Sequence, residues 1–117
     1  LLLDQRFLAG NGNYLRSEIL WSAAVDPAAR PGALPPSALE RLAMATLRIA
    51  RRSYRTGGIT VPAKRLARLR SRGLRYPRYR FNVFGREGDA CYRCDSVIER
   101  RSMGSRNLFV CPGCQAA

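Results

Sequence analysis

The sequence predicts a mainly α protein, with a helical domain over residues 1–80 followed by a small β-hairpin finger over residues 81–117. Three observations predict it. Apolar residues recur at helical spacing through much of the first part, and Gly10 and Gly12 interrupt that pattern once. All four cysteines then fall in the last 27 residues as two Cys-x2-Cys pairs.

Charge narrows the partner before any motif does. The 117 residues carry 21 Lys and Arg against 8 Asp and Glu with no histidine, a formal charge of +13. Between Glu40 and Glu87 there is no acid, while that interval holds 13 arginines and Lys64. Such a segment cannot be neutralised locally and calls for a polyanion. A hydrophobic content of 46% still allows a packed core, so a disordered basic tail is excluded. No apolar run is long enough for a transmembrane helix.

Taken in order, residues 1–9 place Leu1, Leu2, Phe7 and Leu8 on a helical stripe that stops at Gly10. Gly10, Asn11, Gly12 and Asn13 predict a tight turn, with Asn13 as the N-cap of a second helix over residues 14–21. In that helix Leu15, Ile19, Ser22 and Ala23 share a face. Residues 26–36 hold four prolines and a glycine and predict an irregular connection. Ser37 and Glu40 form a capping-box pattern opening a third helix, whose apolar stripe is Leu39, Leu42, Ala43, Thr46, Leu47, Ala50 and Tyr54 and whose end is Gly57 and Gly58. A short helix follows Pro62 over residues 64–69. Residues 76–80 are expected to be extended and exposed, with Tyr76 and Tyr79 open to stacking on bases and Phe81 in the core. Residues 81–84 alternate like a strand, and residues 85–88 turn into the cysteine region.

Cys91 and Cys94, a 16-residue interval, then Cys111 and Cys114 give the tetrathiolate spacing of a structural zinc ion, in which two knuckles each present two sulfurs. Gly113 fits the tight second knuckle. Paired disulfides would need an oxidising compartment, and no secretion signal is visible. Disulfides, an iron–sulfur centre and a vestigial site stay open as alternatives. With four thiolates and no open position, Zn²⁺ here would staple a hairpin too small to fold alone.

Residues 2–20, running through Gly10, Gly12, Asn13 and Glu18, closely resemble the helix-two-turn-helix segment of the formamidopyrimidine-DNA glycosylase/endonuclease VIII family. Residues 81–88, the Cys91–Cys94 knuckle, Ser105 with Arg106, and the ending Cys111, Pro112, Gly113, Cys114, Gln115 are similar to that family's C-terminal zinc finger. The stretch from Asn13 to Glu18 is nearer the endonuclease VIII branch. Asn11 departs from the pattern, since the family usually has an aliphatic residue there.

The resemblance implies a DNA-binding half of a bifunctional glycosylase and abasic-site lyase acting on oxidised pyrimidines. Asn13 would contact a DNA phosphate, with Gly10 and Gly12 shaping the turn and allowing close approach. Arg106 would hold the phosphate beside a flipped-out nucleotide and assist the elimination step. As a guanidinium it is a poor proton donor, which points to clamping of developing charge. The family's nucleophile is an N-terminal proline followed by glutamate, with a lysine in the same N-terminal lobe. Pro27, Pro31, Pro35 and Pro36 are internal, and Lys64 lies in the other lobe.

The chain is therefore expected to be the C-terminal part of a longer protein, a view that the opening Leu1, which reads as a cut inside a helix, also suggests. The expected partners are double-stranded DNA with a damaged base or abasic site and the N-terminal catalytic lobe of the same enzyme. The protein is expected to be a cytoplasmic, nucleoid-associated monomer with no membrane contact. The alternative is a stand-alone, non-catalytic, zinc-dependent module for DNA or RNA. Glu18 is either a helix charge paired with nearby arginines or a residue facing the lesion pocket.

Overall fold

The computed structural model describes residues 5–103 and 106–115. The order is α1 (Gln5–Ala23), a 3-10 turn (Pro31–Ala33), α2 (Pro36–Thr56), α3 (Ala63–Ser71), α4 (Tyr76–Tyr79), β1 (Glu99–Met103) and β2 (Arg106–Val110). The strands form one antiparallel hairpin, registered from Glu99 opposite Val110 to Met103 opposite Arg106.

The central element is α1, which packs against α2 on one side and β2 on the other. Tyr14 and Leu15 join Ile49 and Phe81 in one cluster, and Ala23 with Val25 meets Ala45 in another. Trp21 enters the finger, packing with Val83, Cys91, Ile98, Phe109 and Cys111. The helix ends where Ala24 takes a left-handed φ of 56° and Val25 N–H returns to the Leu20 carbonyl at 3.0 Å. Arg41 donates to the Ala23 carbonyl, satisfying an end group that the helix itself leaves bare.

Five sequence expectations are corrected. The turn at Gly10 to Asn13 is absent: α1 runs through these residues as one helix, so Asn13 is interior rather than an N-cap. Glycine in a helix interior costs only about 1 kcal/mol relative to alanine, which a continuous hydrogen-bond ladder can offset. Leu1, Leu2 and Ser105, and the side chains of Phe7, Leu8, Asn13 and Arg106, lie outside the described residues.

The second correction is the start of α2. Its N-cap is Pro35, with no side-chain cap bond, and Pro36 occupies the first turn in place of the Ser37–Glu40 box. Proline suits that position because its missing N–H is not needed there. The end is as expected, with Gly57 left-handed at φ 72° and its N–H on the Ser53 carbonyl.

The third concerns which face of α2 is inside. Ala38, Ala45, Ile49, Ala50 and Ser53 are buried, whereas Leu39, Met44, Leu47 and Tyr54 are exposed. Small side chains let α2 approach α1 closely, and that packing outweighs the larger apolar residues on the neighbouring face.

Fourth, residues 76–79 are a helical turn, with Pro77 again in a first turn. Tyr76 and Tyr79 pack edge to face at 5.8 Å, and arginines cover both rings, Arg80 over Tyr76 and Arg70 over Tyr79. Fifth, residues 81–84 form no strand. The backbone N–H groups of Asn82, Val83 and Phe84 are taken by a side chain instead of a ladder, as described below. Phe81 is in the core, as expected, and α3 spans the helix expected over residues 64–69.

Candidate metal centre and nucleic-acid interface

The cysteine cluster is assembled by short local turns. Cys91 N–H donates to the Ser96 carbonyl, Asp95 takes a left-handed φ of 64°, and Asp95 N–H returns to the Cys91 carbonyl. In the second knuckle a side chain at Gly113 would place its Cβ 2.5 Å from Ser96 Oγ and 2.9 Å from Cys94 Sγ, so only glycine fits.

The four Sγ atoms of Cys91, Cys94, Cys111 and Cys114 lie within 4.8 Å of one another, and all four cysteines are free. Cys91 and Cys114 are 3.7 Å apart and Cys94 and Cys111 3.3 Å. Zinc–thiolate bonds of about 2.3 Å in a tetrahedron put sulfurs roughly 3.8 Å apart, so this donor set fits Zn²⁺. Bonded sulfurs would be about 2 Å apart, which separates this arrangement from paired disulfides.

Backbone donors prepare the cluster for negative charge. Arg93 N–H points at Cys91 Sγ and Cys114 N–H at Cys111 Sγ, both at 3.4 Å. Hydrogen bonds from the Ser96 hydroxyl and backbone, assisted by Cys111, pull the Cys94 thiol down to about 6. Burial pushes Cys91 up, but the N–H groups of Arg93 and Cys94 outweigh it and leave that thiol lowered. Burial raises Cys111 and Cys114. One sulfur pair is thus poised toward thiolate and the other becomes so only with a cation to stabilise it.

The finger is fastened at four points to α1 and the turn that follows it. Trp21 donates its indole N–H to Cys91 Sγ at 3.3 Å while Arg93 lies 3.7 Å above the ring and donates to the Trp21 carbonyl. Ser17 Oγ accepts the N–H of Phe109 in β2 at 3.1 Å. Gln115, only 2% exposed, accepts from Cys111 N–H and donates to the Val25 carbonyl.

The fourth fastening is Glu18, fully buried at 0% exposure. Its Oε1 accepts Asn82 N–H at 2.8 Å, the Asn82 amide at 3.0 Å and the Thr60 hydroxyl, and its Oε2 accepts Val83 N–H at 2.8 Å and Phe84 N–H at 3.0 Å. Five donors share one carboxylate. Of the two alternatives for Glu18, the helix charge paired with arginine is overturned, since its partners are Thr60 and residues 82–84, and the same bonds explain why residues 81–84 make no strand. A buried carboxylate is tolerable when every lone pair is engaged in this way.

These fastenings fix the positions singled out in the sequence. Asn13 lies one helical turn before Ser17 on α1, and Arg106 begins β2 three residues before Phe109. The Ser17–Phe109 hydrogen bond therefore joins the helix that carries Gly10, Gly12 and Asn13 to the strand that carries Arg106. Ser17 and Gln115 entered the sequence reading only within matched motifs, and Trp21 only as a helix residue, none with a contact of its own. The usable signal for Trp21 was its spacing of seven from Tyr14 on a helix face.

Around this base the charge stays open. Among the described residues the ion pairs are Arg86 with Asp89 at 3.7 Å and Arg101 with Glu99 at 3.0 Å. Other arginines rest on neutral groups: Arg52 on the Val61 carbonyl, Arg80 on the Gly58 carbonyl, and Arg86 also over Tyr92 at 3.8 Å. Burial and then the nearby Arg68 guanidinium hold Arg65 below the usual arginine range. No helix is long and apolar enough to cross a membrane among the described residues.

A helical domain closed by a tetracysteine hairpin defines a fold of the zinc-finger class, and its surplus of arginine suits a polyanion. The same architecture occurs in two solved complexes: MutM with DNA containing carbocyclic 8-oxo-G (TM-score 0.72, 24% identity, 91% of this chain and 37% of that one), and Lactococcus lactis Fpg with DNA containing an abasic site (TM-score 0.72, 23% identity, 91% and 38%). In sequence the chain is 45% identical over 115 residues to Endonuclease 8 of Klebsiella pneumoniae and 44% identical to that of Escherichia coli K12, covering 98% of this chain and 40% of each relative. No protein-family model matches it. The chain belongs to the formamidopyrimidine-DNA glycosylase/endonuclease VIII family, on the endonuclease VIII side. It spans about two fifths of the length of the curated relatives it matches and corresponds to their C-terminal part.

Proposed function

We propose that this chain is the DNA-gripping C-terminal part of a bifunctional DNA glycosylase and abasic-site lyase that removes oxidised pyrimidines from duplex DNA. The observation that carries the reading is the Ser17–Phe109 bond, which couples the helix bearing Asn13 to the strand bearing Arg106. Two phosphate contacts held in fixed register would position a damaged strand, since backbone contacts set orientation while carrying no sequence information.

In this reading Asn13 touches the DNA backbone, and Gly10 and Gly12, lacking side chains, let a phosphate come close to α1. Arg106 forks onto the phosphate beside the extruded nucleotide and stabilises charge as it develops. Cys91, Cys94, Cys111 and Cys114 hold one Zn²⁺, whose contribution is to brace the hairpin. The finger, residues 81–117, works as a unit on the helical domain, residues 1–80. The N-terminal lobe of the same enzyme supplies the amine that attacks C1′ of the flipped nucleotide, and the enzyme acts as a monomer.

Borohydride trapping on a duplex with an abasic site tests this division of labour. The zinc-loaded chain should bind the duplex yet give no covalent adduct. An adduct from these 117 residues alone would overturn it.

A further inference from the structure

A thiolate that holds a metal ion carries charge that its surroundings must offset, and within the two knuckles backbone N–H groups begin this locally. Arg93 N–H points at Cys91 Sγ and Cys114 N–H at Cys111 Sγ. Cys91 receives a further donor of a different kind. The indole N–H of Trp21 reaches its sulfur at 3.3 Å from α1, 70 residues away in sequence. Trp21 is 4% exposed and Cys91 1%, so this bond lies out of water, where it counts for more and where an unpaired indole N–H would be costly.

Arg93 makes the indole a better donor. Its guanidinium carbon lies 3.7 Å from the centre of the Trp21 ring, and its Nη2 donates to the Trp21 carbonyl at 2.8 Å, which pins the cation over that face. A cation placed there draws π density toward itself and away from the N–H bond. Guanidinium, indole and sulfur thus stand in one line, and each contact strengthens the next. Because Arg93 also gives its backbone N–H to Cys91, one residue addresses this sulfur twice, directly and through Trp21. Packing alone explains neither feature: a phenylalanine would fill much of the same space among Val83, Ile98 and Phe109 and donate nothing.

We infer that Trp21 and Arg93 form an outer relay of the metal centre, in which the indole N–H, polarised by the guanidinium, orients Cys91 Sγ and offsets its negative charge when the ion is bound. Both are positioning residues that act through Cys91. The donor belongs to α1, so retention of the metal depends on the helical domain and not on the finger alone. The inference rests on the four-thiolate reading of the cysteine cluster and is independent of DNA binding.

The test loads the chain with Co²⁺, whose thiolate charge-transfer band reports on sulfur donation and whose d–d bands report on tetrahedral geometry. Three chains are compared, each checked for native circular dichroism: the unsubstituted chain, Arg93→Gln, and one with Trp21 replaced by its benzothiophene isostere, which keeps the shape but has sulfur in place of the N–H. Removing the donor leaves more electron density on the Cys91 sulfur. The isostere chain should therefore show its charge-transfer band at longer wavelength with unchanged d–d bands, and should hold Co²⁺ and Zn²⁺ about tenfold more weakly, the lower end of what loss of an outer-shell partner costs. Arg93→Gln, which keeps the backbone N–H, should move both readouts in the same direction by less. A role in packing alone would move neither in the isostere chain. Bands and affinities that coincide in all three chains would overturn the relay and leave the metal centre standing. Absence of a tetrahedral spectrum in the unsubstituted chain would overturn the metal reading itself, and the relay with it.

Discussion

The finger and the arginine-bearing layer of α2 and α3 are stabilised by opposite means. The finger has a small apolar core, and polar side chains fasten it: Glu18, Ser17, Trp21 and Gln115 bond backbone groups or sulfur, and four cysteines sit around a cation-sized space. The helical layer relies on Ala45, Ile49, Val61, Leu66 and Leu69, and it presents its guanidinium groups to carbonyls, aromatic faces and solvent. One region spends its polar groups on holding itself in place. The other leaves its charge uncompensated, available to a polyanion.

The sharpest way to break this contrast is to remove the metal site. Cys111→Ser, or chelation of the zinc-loaded chain, should unfold the finger while the α2–α3 layer keeps its helical circular dichroism. Structural zinc contributes on the order of 10 kcal/mol to such small units. The Trp21 emission should shift to the red as its packing on Cys91 is lost. Loss of all helical signal together with the finger would show that the two regions are a single cooperative unit and that the contrast is false.

Glu18→Ala should have the next largest effect. It strands the N–H groups of Asn82, Val83 and Phe84 and the Thr60 hydroxyl, and a destabilisation of about 3–5 kcal/mol is expected. Hydrogen exchange at those three amides should rise far more than exchange within α2. A thermal midpoint equal to that of the unsubstituted chain would remove Glu18 from its place as the main fastening.

The same contrast explains what could be read in the sequence. The cysteine cluster was legible because Cys-x2-Cys spacing is a local property of a turn, and α3 was legible because its apolar period is local too. Glu18 was not, since its donors lie 42 to 66 residues away and no local pattern announces them. For the same reason residues 81–84 imitated a strand: alternation describes side chains, while the backbone donors were already committed to a carboxylate. On α2 the large residues Leu39 and Leu47 suggested the core, but close approach to α1 selected the small face instead. At Gly10 to Asn13 composition favoured a turn and the helix continued through it. Local chemistry was readable; choices made by tertiary packing were not.

The smallest expected change is at Arg106. Arg106→Ala should leave the fold and the metal site intact and cost roughly tenfold in duplex affinity, about one charge-assisted contact. Each phosphate contact adds close to one to the slope of log affinity against log salt, so this substitution should lower the slope by about 1.

That slope is the most direct test of the central claim, that this chain exists to grip DNA through its unneutralised arginines. Affinity of the zinc-loaded chain for a duplex bearing an abasic site is measured across a salt series, with the Arg106→Ala chain beside it. The account predicts a steep loss of affinity with salt and a slope shallower by about 1 in the variant. A flat dependence in the unsubstituted chain, or two superimposable lines, would contradict it.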